Sequence, residues 1–365
     1  MTGGAGAMTG ARLISLGLLT PPDLSGLPDS SDSTGRPGPD GDSWFDPAAH
    51  LGPRGWKYLS PATRYLLAAA NLSLGRGPGT RPSGLPGYLP EQVGVVTGTH
   101  HAISALHARL DRTLSGEGPR GLSPAELPGF SVNTPASQLA ITVAAKAFCV
   151  TLTNPVVAGT EAVIFALAAL RRGRARRVVA AATEASGPGL AWSGAAALVL
   201  DAMPAGDGPA GDGPEGSEGT GCPGPAAPLG EVLAGTSRFI PPGPDRRPDP
   251  EAAAAAARRV AALASEPGDL RYVFAGPDPT RRLDEAVQLE LRRLGRPPVS
   301  VGHLSATAGA VSGFLQLAAA LREPGPALVV TASGAGHVAA LALRSAPVPL
   351  PLCAPAAAPS QEERS

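Results

Sequence analysis

The chain has 365 residues, with 30 basic and 30 acidic side chains and a formal charge of +0, so it offers no overall charge bias toward nucleic acid or an anionic lipid surface. Its hydrophobic content of 43% excludes a largely disordered protein, and its cysteines, Cys149, Cys222 and Cys353, fit neither a disulfide framework nor a zinc site. Glycine and proline number 47 and 41, which points to low-complexity inserts between folded blocks.

Residues 1–43 read as a flexible N-terminal segment, most clearly over Thr20–Ser43, which is rich in Pro, Gly, Ser and Asp. No signal peptide and no uninterrupted apolar span are apparent, so the expectation is a soluble cytoplasmic protein that needs no membrane. A first folded block covers residues 44–201. Its predicted elements are a helix over Leu59–Leu74, a strand at Val93–Thr97, a helix over Pro135–Ala147 and a strand at Val150–Thr153. A turn over Pro155–Gly159, a helix over Thr160–Arg172 and strands at Arg177–Ala182 and Ala195–Leu200 complete it.

Residues 202–228 form a Gly/Pro-rich insert. The second block, 229–350, predicts helices over Pro250–Ser265, Leu283–Leu294 and Ala306–Leu321. Its strands fall at Tyr272–Ala275, Ser300–His303, Ala327–Ala332 and Ala339–Arg344, and residues 351–365 read as a flexible tail. Strands alternating with helices predict an α/β fold. Thr151–Arg172 and Ser300–Leu321 share one pattern, a strand, a tight glycine-containing turn and a helix of small apolar residues, which suggests two related halves. Helices apolar on every face belong at the centre of a protein. A helix opening from a sharp turn can hold a reacting group, because free N–H groups and the dipole converge there.

Several motifs in order resemble the β-ketoacyl synthase family, the thiolase-fold condensing enzymes. They are VGVVTGT at Val93–Thr99, LPGFSVNTPASQLAI at Leu127–Ile141, LTNPVVAGTEAV at Leu152–Val163 and RRGRARRVVAAATEA at Arg171–Ala185. SVGHLSATAGAVSGFLQLAAAL at Ser300–Leu321 is the most specific, and TASGAGHVAALAL at Thr331–Leu343 closes the series. The resemblance runs from about Phe45 to Arg344. It implies a thiolase-like fold, α/β, with two related halves in a layered αβαβα arrangement.

The departures bear on function. The family uses a cysteine that takes the acyl chain and two histidines that assist decarboxylative condensation. In register, the nucleophile position is Val156 and the first histidine position is Gly276. A family lysine becomes Pro298, and the second histidine is retained as His303. The closing loop reads Ser333, Gly334, Ala335, Gly336 and His337, without the gating aromatics. Chain that covers substrate in the family is missing around Pro188–Gly189 and Glu323–Pro326.

No other residue restores a nucleophile on sequence grounds. Cys149, between Phe148 and Val150, reads as a buried inert thiol. Thr153 and Thr160 flank the elbow but would need a base, and His303 is equally readable as a hydrogen-bonded structural histidine. His100 and His101, adjacent on an extended chain, would point apart and make no metal site.

The resemblance therefore implies a chain-length-factor-like subunit that is not catalytic on its own and needs no metal or cofactor. It would pair with a catalytic ketosynthase as a heterodimer in an acyltransferase complex, meeting acyl carrier protein through that complex. It would shape the acyl tunnel in type II polyketide, polyene or fatty-acid-like synthesis. Pairing would run through the apolar strand of Phe148, Val150 and Leu152, and Phe130 would reach the partner's acyl pocket. The alternatives are a stand-alone acyltransferase or hydrolase re-purposing the fold around His303, and a degenerate homodimeric binding protein.

Overall fold

A computed structural model describes residues 10–21, 44–185, 193–203, 227–241, 249–277, 280–304 and 306–347. In chain order the elements of the first half are β1 (Ala11–Leu19), α1 (Pro47–Leu51), α2 (Pro61–Ser73), β2 (Val93–Gly98), α3 (Ser104–Glu117) and α4 (Thr134–Thr142). They continue as β3 (Phe148–Leu152), α5 (Ala158–Arg171), β4 (Arg177–Glu184) and β5 (Gly194–Ala202). The second half comprises β6 (Gly230–Phe239), α6 (Pro250–Ala261), β7 (Arg271–Ala275), α7 (Arg281–Arg293), β8 (Ser300–Leu304), α8 (Ser312–Ala320), β9 (Gly325–Ala332) and β10 (His337–Ser345).

The ten strands form one sheet in the order β3-β2-β4-β5-β1-β6-β10-β9-β7-β8. Read outward from its middle, the sheet repeats itself. β3, β2 and β4 are parallel and β5 and β1 antiparallel to their neighbours. β8, β7, β9, β10 and β6 follow the same scheme. β1 and β6 join the halves antiparallel at Ala11–Leu13. The expected pair of related halves is therefore a duplicated topology.

Alternation along the strands divides the core into layers. α2 and α4 cover one face of the first half, against Val93, Val95, Val179 and Ala197. α6 and α7 cover the outer face of the second half, against Tyr272, Phe274, Leu328 and Val330. Between the halves lie α5 and α8, which touch both. The result is the layered αβαβα arrangement expected of a thiolase-like fold. The central helices are apolar on nearly every face because they are enclosed on nearly every face. Polar capping starts the outer helices: Ser60 accepts from Thr63 N at 3.3 Å and Asp249 from Ala252 N at 2.7 Å, each followed by proline at the first helical position.

Some expectations need correction. The segment 1–43 is not flexible throughout: Ala11–Leu19 is a strand at the centre of the sheet, paired with both β5 and β6. Its Ala11, Leu13 and Leu19 are buried, so ordering is repaid by apolar burial. The predicted helix Pro135–Ala147 ends at Thr142, where the chain turns through Ala144 at φ +52°. The predicted helix Ala306–Leu321 begins only at Ser312, because Gly309 (φ 54°, ψ −137°) breaks the preceding 3₁₀ turn. Residues 204–226, 348–365 and the pair 188–189 lie outside the described residues.

Candidate functional site

The turn between β3 and α5 is built as an elbow. Val156 lies in the left-handed region at φ +65°, one of two non-glycine residues with positive φ among those described. A β-branched residue there is strained, because its branched Cβ crowds the backbone. The turn is fixed on both sides. Thr99 N donates to Leu152 O at 2.9 Å, Ala158 N to Asn154 O at 3.1 Å, and the Asn154 amide to Glu161 Oε2 at 2.8 Å. Ser237 on β6 donates to the other Glu161 oxygen at 2.6 Å, so this first-turn carboxylate ties the elbow to the second half. Val156, which the resemblance puts at the nucleophile position, thus sits on a strained turn, and its half-buried isopropyl group can form no thioester.

α5 and α8 meet backbone to backbone. A Cβ on Gly159 would stand 2.0 Å from Ala310 O, and one on Gly313 would stand 2.1 Å from Thr160 Oγ1. Thr160 Oγ1 lies 2.6 Å from Thr331 Oγ1, which donates to Gln316 Oε1 at 2.5 Å. The Gln316 amide donates to Val273 O and Val330 O. Thr160 is therefore engaged in a fully buried structural chain and is not available as a nucleophile.

A second buried anchor was not signalled by spacing. Glu184, at the end of β4, accepts from His100 N at 2.9 Å, His101 N at 2.8 Å and Ala310 N at 3.0 Å. Burial raises its pKa, and the three N–H donors partly offset that rise. The signal in the sequence was a lone acidic residue closing an apolar run. Past β2 the chain is no longer extended, so His100 and His101 do not point apart: their rings touch edge to face at 4.2 Å. His100 Nδ1 contacts Thr153 O at 3.2 Å. Among the described residues no three His, Cys, Asp or Glu side chains converge on a metal position.

His303 and the elbow occupy different layers. In the β7–β8 register His303 lies beside Phe274, and Leu304 beside Ala275. Residues opposite one another share a face. Phe274 belongs to the outer core under α7, while Leu304 packs into the central layer. His303 accordingly points outward, where its Nε2 meets Asp284 Oδ2 at 2.7 Å, and the other Asp284 oxygen accepts from Gln288 at 3.0 Å. Burial and the nearby Asp284 push the Tyr272 phenol well above its ordinary pKa. A depression of about 280 Å³ opens here, lined by Phe274, Gly276, Pro277, Arg281, Asp284 and His303 among others. Among the described residues, no serine, threonine or cysteine lines it.

Gly276 closes β7 in a tight place. A Cβ there would stand 2.3 Å from Thr280 Oγ1 and 2.9 Å from the Phe274 ring, so the position has no room for an imidazole. The closing loop lies alongside: Gly334 approaches Pro277, Ser333 N donates to His337 O at 2.8 Å, and His337 rests against Phe239.

Cys149 is exposed rather than buried, because β3 is the outermost strand of the sheet. Packing around its sulfur still pushes its thiol pKa up, against a hydrogen bond from Ser137, so the thiolate is not favoured. Phe148, Val150 and Leu152 on the same strand are only half-buried. Phe130 is 52% exposed, stacked on His107 with ring centres 4.2 Å apart.

No family model matches the chain, and no curated protein is similar to it in sequence. Solved structures share its fold. One is a chain from a complex of a type II polyketide synthase acyl-carrier protein with its ketosynthase bound to the hexaketide (AntDE:AntF). It matches at a TM-score of 0.66 and 16% identity over 93% of this chain and 100% of that one. The ishigamide ketosynthase/chain length factor matches at a TM-score of 0.62 and 20% identity over 92% and 99%. A β-ketoacyl synthase from Burkholderia phymatum matches at a TM-score of 0.65 and 14% identity over 93% and 100%. The fold is that of these ketosynthases. No helix among the described residues is long and apolar enough to cross a membrane.

Proposed function

We propose that this ketosynthase fold serves as a non-catalytic, chain-length-factor-like subunit. It pairs with an active ketosynthase through the β3 edge and lends a wall to the partner's acyl tunnel in polyketide or fatty-acid-like synthesis. The observation that carries this reading is the elbow: the strained turn is kept at φ +65° while the residue on it is Val156. A turn that costs on the order of 1–3 kcal/mol persists only where the surrounding structure holds it, and here that structure binds both halves together. The Gly276 position, too tight for an imidazole, argues the same way. The half-buried apolar β3 and the outstanding Phe130 are the surfaces such a subunit would present.

The hydrolase or acyltransferase reading has His303–Asp284 in its favour as a histidine–carboxylate pair. Among the described residues, the depression that pair lines holds no serine, threonine or cysteine for it to activate. The test is intact-mass spectrometry of the purified chain after incubation with acyl carrier protein thioesters. No acyl adduct is expected, and a stable adduct on any residue would overturn the proposal. Val156→Cys alone should bring back no condensation, since Gly276 supplies no base.

A further inference from the structure

The sequence RRGRARR at Arg171–Arg177 places a dense positive surface on a chain of net charge +0. It lies at the foot of the first half, where α5 ends and the parallel strands begin. Arg171 reaches the Leu233 carbonyl on β6, and Arg177 is held by Asp201 at 2.6 Å and stacks on Tyr88. Arg172, Arg174 and Arg176 are exposed, and none of them has a carboxylate partner among the described residues. The patch runs onto the free edge of the sheet. The Arg174 guanidinium sits 5.6 Å from the ring of Phe148, the first residue of β3, and Arg176 N bonds to Gln92 O at the start of β2. Lys146, just before β3, adds a charge that is balanced by Glu91 at 3.5 Å.

Two edge strands joined into one continuous sheet by a twofold or pseudo-twofold axis normal to it run antiparallel. The Phe148 end of β3 then meets the far end of the partner's equivalent strand, the end that leads into its elbow. If the partner were a second copy of this chain, that end would be Leu152–Asn154. Among the described residues it offers no free carboxylate: Glu161 is engaged by Asn154 and Ser237, and Glu184 is buried on three backbone N–H groups. Three arginines against that surface meet no opposite charge and gain nothing.

We infer that the partner across β3 is a different chain, one that carries exposed carboxylates at the elbow end of its own edge strand to meet Arg172, Arg174 and Arg176. This rests on the pairing through β3 proposed above and adds to it the chemistry by which the partner is chosen. Charge matching of this kind speeds encounter and rejects the wrong partner more than it deepens affinity.

The experiment uses the full chain and the catalytic ketosynthases encoded in the same genome, tested one by one by sedimentation and by binding titration at about 0.05 M and about 0.5 M salt. A triple variant, Arg172→Glu/Arg174→Glu/Arg176→Glu, alters exposed side chains only, and circular dichroism checks its fold. The wild-type chain alone should show no dimer held by these arginines. With its ketosynthase it should form a complex that weakens on the order of tenfold at high salt, and the triple variant should lose on the order of tenfold or more at low salt. A complex that forms but ignores both salt and the triple variant overturns this inference and leaves the subunit reading standing. So does a tight self-dimer that the triple variant does not disturb, if a ketosynthase complex also forms. No complex with any ketosynthase at either salt overturns both.

Discussion

The tightness of Gly276 can be measured. Gly276→Ala places a Cβ 2.3 Å from Thr280 Oγ1 and 2.9 Å from the Phe274 ring, both far inside contact distance. Phe274 is buried under α7 and cannot swing into solvent, so the strain falls mainly on Thr280. Overpacking of this kind costs about 1–3 kcal/mol. If Thr280 rotates away it also gives up its 2.6 Å bond to Pro277 O, worth about 1 kcal/mol. The single variant should therefore lose about 3 kcal/mol. Thr280→Ala removes the same bond and some packing, for about 1–2 kcal/mol. The two changes together remove the worst clash, so the double variant should cost about 1–2 kcal/mol less than the sum of the singles. Urea denaturation of the four proteins, with m-values compared to confirm like transitions, gives the cycle. A Gly276→Ala midpoint matching wild type to within about 0.5 kcal/mol, or strict additivity, would refute the steric argument. Success has a practical corollary: a catalytic centre rebuilt with Val156→Cys and Gly276→His will not fold well unless Thr280 is changed too.

Other outcomes follow from the same structure. Phe130→Ala should lengthen, and Phe130→Trp shorten, the products of the reconstituted pair without changing the first extension. Unchanged products from an intact complex would remove Phe130 from the tunnel. Thr331→Val strips the buried partner from both Thr160 and Gln316, and should cost about 2–3 kcal/mol in chemical denaturation; a loss below about 0.5 kcal/mol would mean that the chain of bonds re-forms without it. Glu184 holds its proton more tightly when folded than a free carboxyl at 4.5 does. Its contribution to stability is therefore full below that value and is lost as pH rises through the raised folded pKa. Glu184→Gln should flatten this fall in melting temperature as pH rises past the free carboxyl's 4.5, whereas parallel profiles for the two proteins would contradict the assignment.

Much of the fold was legible because its strands are short apolar runs closed by Gly, Pro or charge, as with Tyr272–Ala275 and Ala327–Ala332. The repeated strand–turn–helix pattern correctly suggested a duplicated topology. β1 was missed because Ala11–Leu19 carries Ser15 and Gly17 and adjoins a low-complexity stretch; only its pairing with β5 and β6 makes it central. α3 escaped because it is a surface helix in which Leu110 alone is buried. β6 escaped because Gly235 is set by close contact with Ile164 on α5, a property of packing and not of the strand itself. At the site, the turn before α5 was legible from its proline and glycine, Pro155–Gly159. The direction of His303 could not, since it depends on register with β7. Asp284, Thr280 and Glu184 act through contacts between distant segments, which no local pattern carries.

The glycine contact between α5 and α8 has a thermodynamic consequence. Two duplicated halves, each with five strands of the sheet and its own outer helices, invite the expectation of two domains that melt separately. Gly159 against Ala310 and Gly313 against Thr160 leave no plane along which the halves can part with their cores intact, since each helix serves as filling for both. Calorimetry of the full chain should therefore give one transition, with calorimetric and van't Hoff enthalpies in agreement. Either half expressed alone would expose the apolar face that the other's central helix covers, so an architecture that looks divisible behaves as a single cooperative unit.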